Sequence, residues 1–154
     1  MTFCAIRPLL IEQAGRAFCD AHPALIELAG PARIQRAFEI AGRCTDIEQI
    51  SPNEFLIQAH EQDGLYYYLN RQRQTCSCSD FHTTQLQNGT GLGLCAHAFA
   101  VRFWLDGQSA FTQFQHAYDA AFACLDHPAD DSDALAKMQA RLEVANATAA
   151  EVRP

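Results

Sequence analysis

The sequence predicts an α+β fold: a small antiparallel β-hairpin sheet flanked by N-terminal and C-terminal α-helices. Three observations carry this expectation. Apolar residues recur at helical spacing through the first 43 positions. Between Thr45 and Leu69 the pattern changes to short strand-like runs, with Asp63-Gly64 set between two of them. From Ala96 onward, apolar and aromatic residues return to helical spacing.

Leu9, Leu10, Gln13, Ala14, Ala17 and Phe18 trace an approximate 3.6-residue stripe, which predicts the first helix. Pro23 and Pro31 punctuate the chain after it. Pro31 suits the first turn of a second helix running to Arg43. Ile34, Ala37, Phe38 and Ala41 give that helix one apolar face, and Gly42 lies near its end. Thr45–Ile50 reads as a short edge strand, and Ser51-Pro52-Asn53 as a turn. Glu54–His60 and Leu65–Leu69 read as paired strands around a Gln62-Asp63-Gly64 turn, where the Asp-Gly pair favours positive φ. Alternation places Tyr66 and Tyr68 on one face and Tyr67 on the other, as in a sheet buried against helices.

Asn70–Gln74 forms a second turn. Residues 82–93 are polar and glycine-rich, so they read as a loop. Ala96–Leu105 is apolar and helix-compatible, and Asp106-Gly107 ends it. Phe111, Phe114, Tyr118, Ala121, Phe122 and Leu125 repeat at helical spacing, a stripe that predicts core. After His127-Pro128, Asp130, Asp131, Ser132 and Asp133 supply capping chemistry for a last helix bearing Leu135, Met138 and Leu142.

A chain of 154 residues suits one domain over 1–154. Within it lie a helical N-terminal part (1–50), a central segment (52–105) and C-terminal helices (107–148). No apolar run reaches the length of a membrane span, and the N-terminus lacks a basic region followed by an apolar run. These features predict a cytoplasmic protein in a reducing compartment, with no membrane partner. Seven cysteines there argue against a disulfide framework. Cys4, Cys19, Cys44 and Cys124, scattered among apolar neighbours, read as small buried hydrophobes.

The remaining three are different. Cys76-Ser77-Cys78, then 16 residues, then Cys95-Ala96-His97 place three thiols and one imidazole in two close pairs. That is the ligand number and type of a structural, tetrahedral Zn²⁺ site. Cys76, Cys78, Cys95 and His97 are therefore expected to hold one structural zinc ion. Catalytic zinc keeps an open position for water, and four protein ligands would close the shell. Redox centres usually show C-x-x-C, and here the spacing is C-x-C. Paired catalytic carboxylates, a nucleophile elbow and a phosphate-binding loop are not found in the sequence, so no enzyme is expected.

The string Tyr66-Tyr67-Tyr68-Leu69, Thr75-Cys76-Ser77-Cys78-Ser79-Asp80-Phe81 and Leu94-Cys95-Ala96-His97-Ala98-Phe99-Ala100-Val101 resembles a SWIM-type zinc finger over residues 52–105. The resemblance implies a ββα unit with Cys76, Cys78, Cys95 and His97 as ligands, in a small stand-alone member. It also implies binding of nucleic acid or protein partners. Two positions depart from the family pattern: Ser79 where Pro is frequent, and Ala96 where Lys is frequent. The second removes a positive charge beside the metal.

The net charge of −7 opposes tight, sequence-independent nucleic-acid binding. Residues 108–154 carry three basic and seven acidic side chains, the most acidic third of the chain. Arg71 and Arg73 on the second turn, Arg102 on the following helix, His82 and the polar segment 83–90 are the candidate nucleic-acid or partner contacts. Three arginines would neutralise few phosphates, so such binding is expected to be weak and salt-sensitive. The sequence thus predicts a non-catalytic zinc-finger accessory protein in a DNA- or RNA-processing complex, with a protein partner in a larger assembly. Two alternatives stand beside this: an autonomous DNA- or RNA-binding protein, and a pure protein–protein adaptor.

Overall fold

The structure, a computed structural model, describes residues 3–59, 64–87 and 94–123. Three helices, α1 (Phe3–Ala21), α2 (Pro23–Ala29) and α3 (Pro31–Gly42), precede four strands. These are β1 (Ile47–Ser51), β2 (Glu54–Gln58), β3 (Tyr66–Asn70) and β4 (Thr75–Cys76). Two helices follow, α4 (Ser79–Gln87) and α5 (Ala96–Ala123). The expected α+β class, with helices on both sides of a small antiparallel sheet in chain order, is what the structure has. The chain divides into two compact units, the first ending at Phe111. The described part of the second is the end of α5.

The strands lie in chain order, β1-β2-β3-β4, each antiparallel to the next. Register fixes which side chains face the core. Ile47 pairs with Ile57 and Ile57 with Tyr67, while Phe55 pairs with Leu69 and Leu69 with Cys76. These rows pack inward, and Phe55 and Ile57 are fully buried. The opposite rows, Glu48–Leu56–Tyr68 and Gln58–Tyr66, face outward. Tyr66 and Tyr68 are exposed and Tyr67 is half-buried, as the alternation predicts. Gly64, with φ +80°, carries the β2–β3 connection.

An aromatic cluster joins the helices. Phe38 of α3 stacks on Phe103 of α5 at 4.7 Å, Phe18 of α1 meets Phe103 edge-on at 5.9 Å, and Phe55 of β2 meets Trp104 at 6.3 Å. Edge and offset geometries of this kind are favoured by the ring quadrupoles.

Five expectations need correction. The stripe of α1 is rotated: Ile11 and Gly15 are buried, whereas Leu9 is 62% exposed. Pro23 starts α2, a helix where the sequence predicts only punctuation. Residues 79–87 are helical, so 82–87 are not the expected loop; the rest of it, 88–93, lies outside the described residues. Threonine side chains satisfy backbone groups inside α4: Thr83 Oγ1 donates to Ser79 O, and Thr84 Oγ1 to Asp80 O. Finally, α5 does not end at Asp106-Gly107. Gly107 is buried where α1 crosses α5, and a Cβ there would lie 2.6 Å from Ile11 Cα. Its glycine serves close packing, not termination. The expected final helix over 131–145 lies outside the described residues. Along the end of α5, Phe114 and Tyr118 stack on each other at 6.3 Å and are exposed, not core.

On helix propensity alone, Gly107→Ala should stabilise the protein by about 1 kcal/mol. The approach of the Ile11 backbone reverses the sign. Urea unfolding is expected to show a loss of about 1–3 kcal/mol; equal or greater stability would contradict the close α1–α5 crossing.

Candidate metal centre

Each of the four cluster residues sits at a point where a regular element begins or ends. Cys76 closes β4, its strand register with Leu69 fixing its direction inward. Cys78 precedes α4 by one residue. Cys95 precedes α5, and the N–H groups of Ala98 and Phe99 donate to its carbonyl. His97 lies in the first turn of α5. The ligating atoms of Cys76, Cys78, Cys95 and His97 all lie within 4.8 Å of one another. Cys76 Sγ is 4.0 Å from His97 Nδ1. Tetrahedral bonds of about 2.0–2.3 Å from a common ion place ligand atoms roughly 3.6–3.8 Å apart. The cluster is therefore sized to hold one metal ion with only small adjustments.

All three cysteines are buried, and Cys95 has no exposed surface. Crowding couples their protonation. Hydrogen bonding to Cys78 pushes the Cys76 thiol up to about 12. Hydrogen bonding to Cys76 and Cys78, with burial, raises Cys95 as well. The same contacts, with an N–H donated by Phe81 at 3.4 Å, push the Cys78 thiol down. A bound cation would favour the thiolate form of all three sulfurs, since thiolates are the ligands.

Neighbouring residues fix the geometry. The Tyr67 ring packs on the His97 imidazole with centroids 4.4 Å apart. Asp80, in the first turn of α4, receives three bonds from the Arg33 guanidinium of α3, at 2.8–3.1 Å. A further Arg33 nitrogen donates to Ala29 O at 2.9 Å. Thr84 Oγ1 accepts from Leu94 N at 2.8 Å, which brings the chain back to Cys95. Phe81 is buried beneath the start of α4. Of these supports, Tyr67 and the Asp80-Phe81 dipeptide carried a signal in the sequence. The Arg33 clamp spans 47 positions, and nothing local announces it.

The expected contact residues separate. Arg71 and Arg73 are exposed on the turn between β3 and β4, as expected. That turn is shaped by Asn70 Oδ1, which accepts from Arg73 N, and by Gln74 at φ +52°. Arg102 is committed within the protein: its Nε donates to Asp106 at 2.7 Å, and its guanidinium lies 5.2 Å above the Phe18 ring. His82 is exposed on α4, edge-on to Phe81, and is not part of the ligand cluster. Residues 83–87 of the expected polar contact loop are helical. Of the scattered cysteines, Cys19 and Cys44 are half-buried against the core, and burial raises both thiols. Cys4 and Cys124 fall outside the described side chains.

Chemically, three buried cysteines and a half-buried histidine converge to offer four protein ligands to one ion. No helix among the described residues is long and apolar enough to cross a membrane. Comparisons with protein-family models, with curated proteins and with solved structures find no match to this chain.

Cys95→Ser, at the most buried ligand, should weaken metal binding by more than about 10-fold in chelator competition. His97→Ala, which leaves three thiolates, should cost less. Equal metal affinity in Cys95→Ser and parent protein would show that the cluster is not the metal site.

Proposed function

We propose that this chain is a non-catalytic zinc-finger accessory protein, in which one structural Zn²⁺ held by Cys76, Cys78, Cys95 and His97 stabilises a surface that binds partners in a DNA- or RNA-processing complex. The observation that carries this reading is the buried, convergent Cys₃His cluster. Its donor set of three sulfurs and one imidazole suits Zn²⁺ above harder divalent cations, which prefer oxygen. Four protein ligands leave no vacant position for a water or substrate, so the ion's work is to tie β4 to the starts of α4 and α5. When bound, zinc supplies cross-linking free energy that a chain of this length can add to its own core.

The resemblance of residues 52–105 to a SWIM-type finger supports the partner-binding part of the reading. So does the sheet, which keeps one face for the core and turns the other outward. Contacts with protein partners are proposed to matter at least as much as contacts with nucleic acid. Ala96 gives no charge beside the metal, Arg102 is engaged internally, and the chain is acidic.

Protein isolated without added metal should carry close to one zinc per chain by elemental analysis. Its stoichiometric partner, retained in native purification, should be lost from Cys78→Ser. Fully folded, partner-bound protein without zinc would contradict the proposal.

A further inference from the structure

We infer, resting on the partner-binding role proposed above, that the outward face of the sheet is a stacking surface for single-stranded nucleic acid, with Tyr66 and Tyr68 as base platforms and Arg71 and Arg73 as phosphate contacts. Tyr66 is 48% exposed and Tyr68 38% exposed, both on the face away from the core. They are two positions apart on one strand, so their Cα atoms are separated by about 6.6–6.8 Å. That is about twice the 3.4 Å rise per base of a stacked duplex strand. Only an extended, unstacked strand lays neighbouring bases on both rings.

Tyr68 is also held in place before any ligand arrives. Its hydroxyl donates to Glu54 Oε1 on the neighbouring strand, and Asn70 Nδ2 donates to the Tyr68 oxygen at 3.3 Å. These bonds draw the ring along the sheet, over Asn70, which is buried despite its place on the outer face. A ring fixed in this way loses little freedom on binding, and stacking on it is tolerant of base identity. β3 runs directly into the turn that bears Arg71 and Arg73, so cationic groups continue the line of the two rings. Neither arginine forms an ion pair among the described residues, in contrast to Arg33, Arg36 and Arg102.

Charge decides between single strand and duplex. Glu48 and Glu54 lie on the same face, and the chain's net charge is −7, so phosphate attraction alone is too weak to hold a duplex. Stacking supplies what charge does not, and it needs bases freed from their own stack. Two phosphate contacts predict a shallow log–log salt slope of about −1.4.

The test is fluorescence anisotropy of labelled oligo(U), oligo(dT) and a mixed duplex of equal length, at about 50 mM salt, with zinc content and circular dichroism measured on the same samples. Both single strands should bind in preference to duplex. Tyr66→Ala and Tyr68→Ala should each weaken binding about 5- to 100-fold, in line with one base–aromatic stack. Tyr68→Phe, which keeps the ring, should retain most of it, and Arg71→Ala/Arg73→Ala should flatten the salt slope. Zinc-loaded, folded protein that binds no single strand, binds duplex equally well, or is indifferent to both tyrosine changes would overturn the inference and leave the metal-module proposal standing. Loss of a co-purifying protein from the tyrosine variants, without loss of oligonucleotide, would likewise overturn it and assign the face to a protein. Folded protein lacking zinc would count against the metal-module proposal whatever the oligonucleotide does.

Discussion

Four ligating atoms converge from three places: the end of β4, the residue before α4, and the start of α5. This convergence is the constraint around which the central part of the chain is arranged. β4 is only two residues long, too short to be held by ladder hydrogen bonds alone. Cys76 anchors it from the inner face, and Ser77 extends it by exchanging backbone and side-chain bonds with Tyr68. The starts of α4 and α5 are brought to the same point by Cys78 and Cys95. Arg33 then ties α4 to α3 through Asp80, so the cluster is joined to the N-terminal helices by a multiply hydrogen-bonded ion pair. Arg33 and Asp80 are both partly exposed, and solvent discounts the energy of the pair; its value is chiefly geometric.

The two faces of the sheet divide the labour. The inner face puts Ile47, Phe55, Ile57 and Leu69 into the core and sets Tyr67 against the His97 ring. Any change that rotates Tyr67 therefore reaches a proposed ligand directly. The outer face carries Tyr66 and Tyr68 on a strand whose register is fixed by that same packing. Placement of a surface ring thus depends on a buried centre a strand's thickness away, with no moving part required between them.

Much of this was legible in the sequence, for identifiable reasons. The ligand set could be read because thiols and imidazole at C-x-C and C-x-H spacing are chemically distinctive, and rarely placed so by packing alone. The strands could be read because alternating apolar residues mark the buried face of each strand. The tyrosine faces followed from a period of two. By contrast, α4 was hidden because Thr83 and Thr84 are poor helix formers in isolation; the buried Phe81 and the bond that Thr84 Oγ1 accepts from Leu94 N hold the helix only in context. The end of the chain's last described helix was misplaced because Gly107 reads as a terminator. Its actual constraint is the Ile11 backbone, 96 positions earlier. Arg102 illustrates the same limit: a surface arginine near the ligands is spoken for by Asp106 and Phe18, and only the fold reveals it.

A closed shell of three sulfurs and one imidazole nitrogen around a zinc ion is tested most directly by X-ray absorption at the metal edge. Three sulfur scatterers at about 2.3 Å and one nitrogen at about 2.0–2.1 Å are expected, with the multiple-scattering pattern of an imidazole. Fewer than three sulfurs, or a light-atom ligand in place of His97, would contradict it.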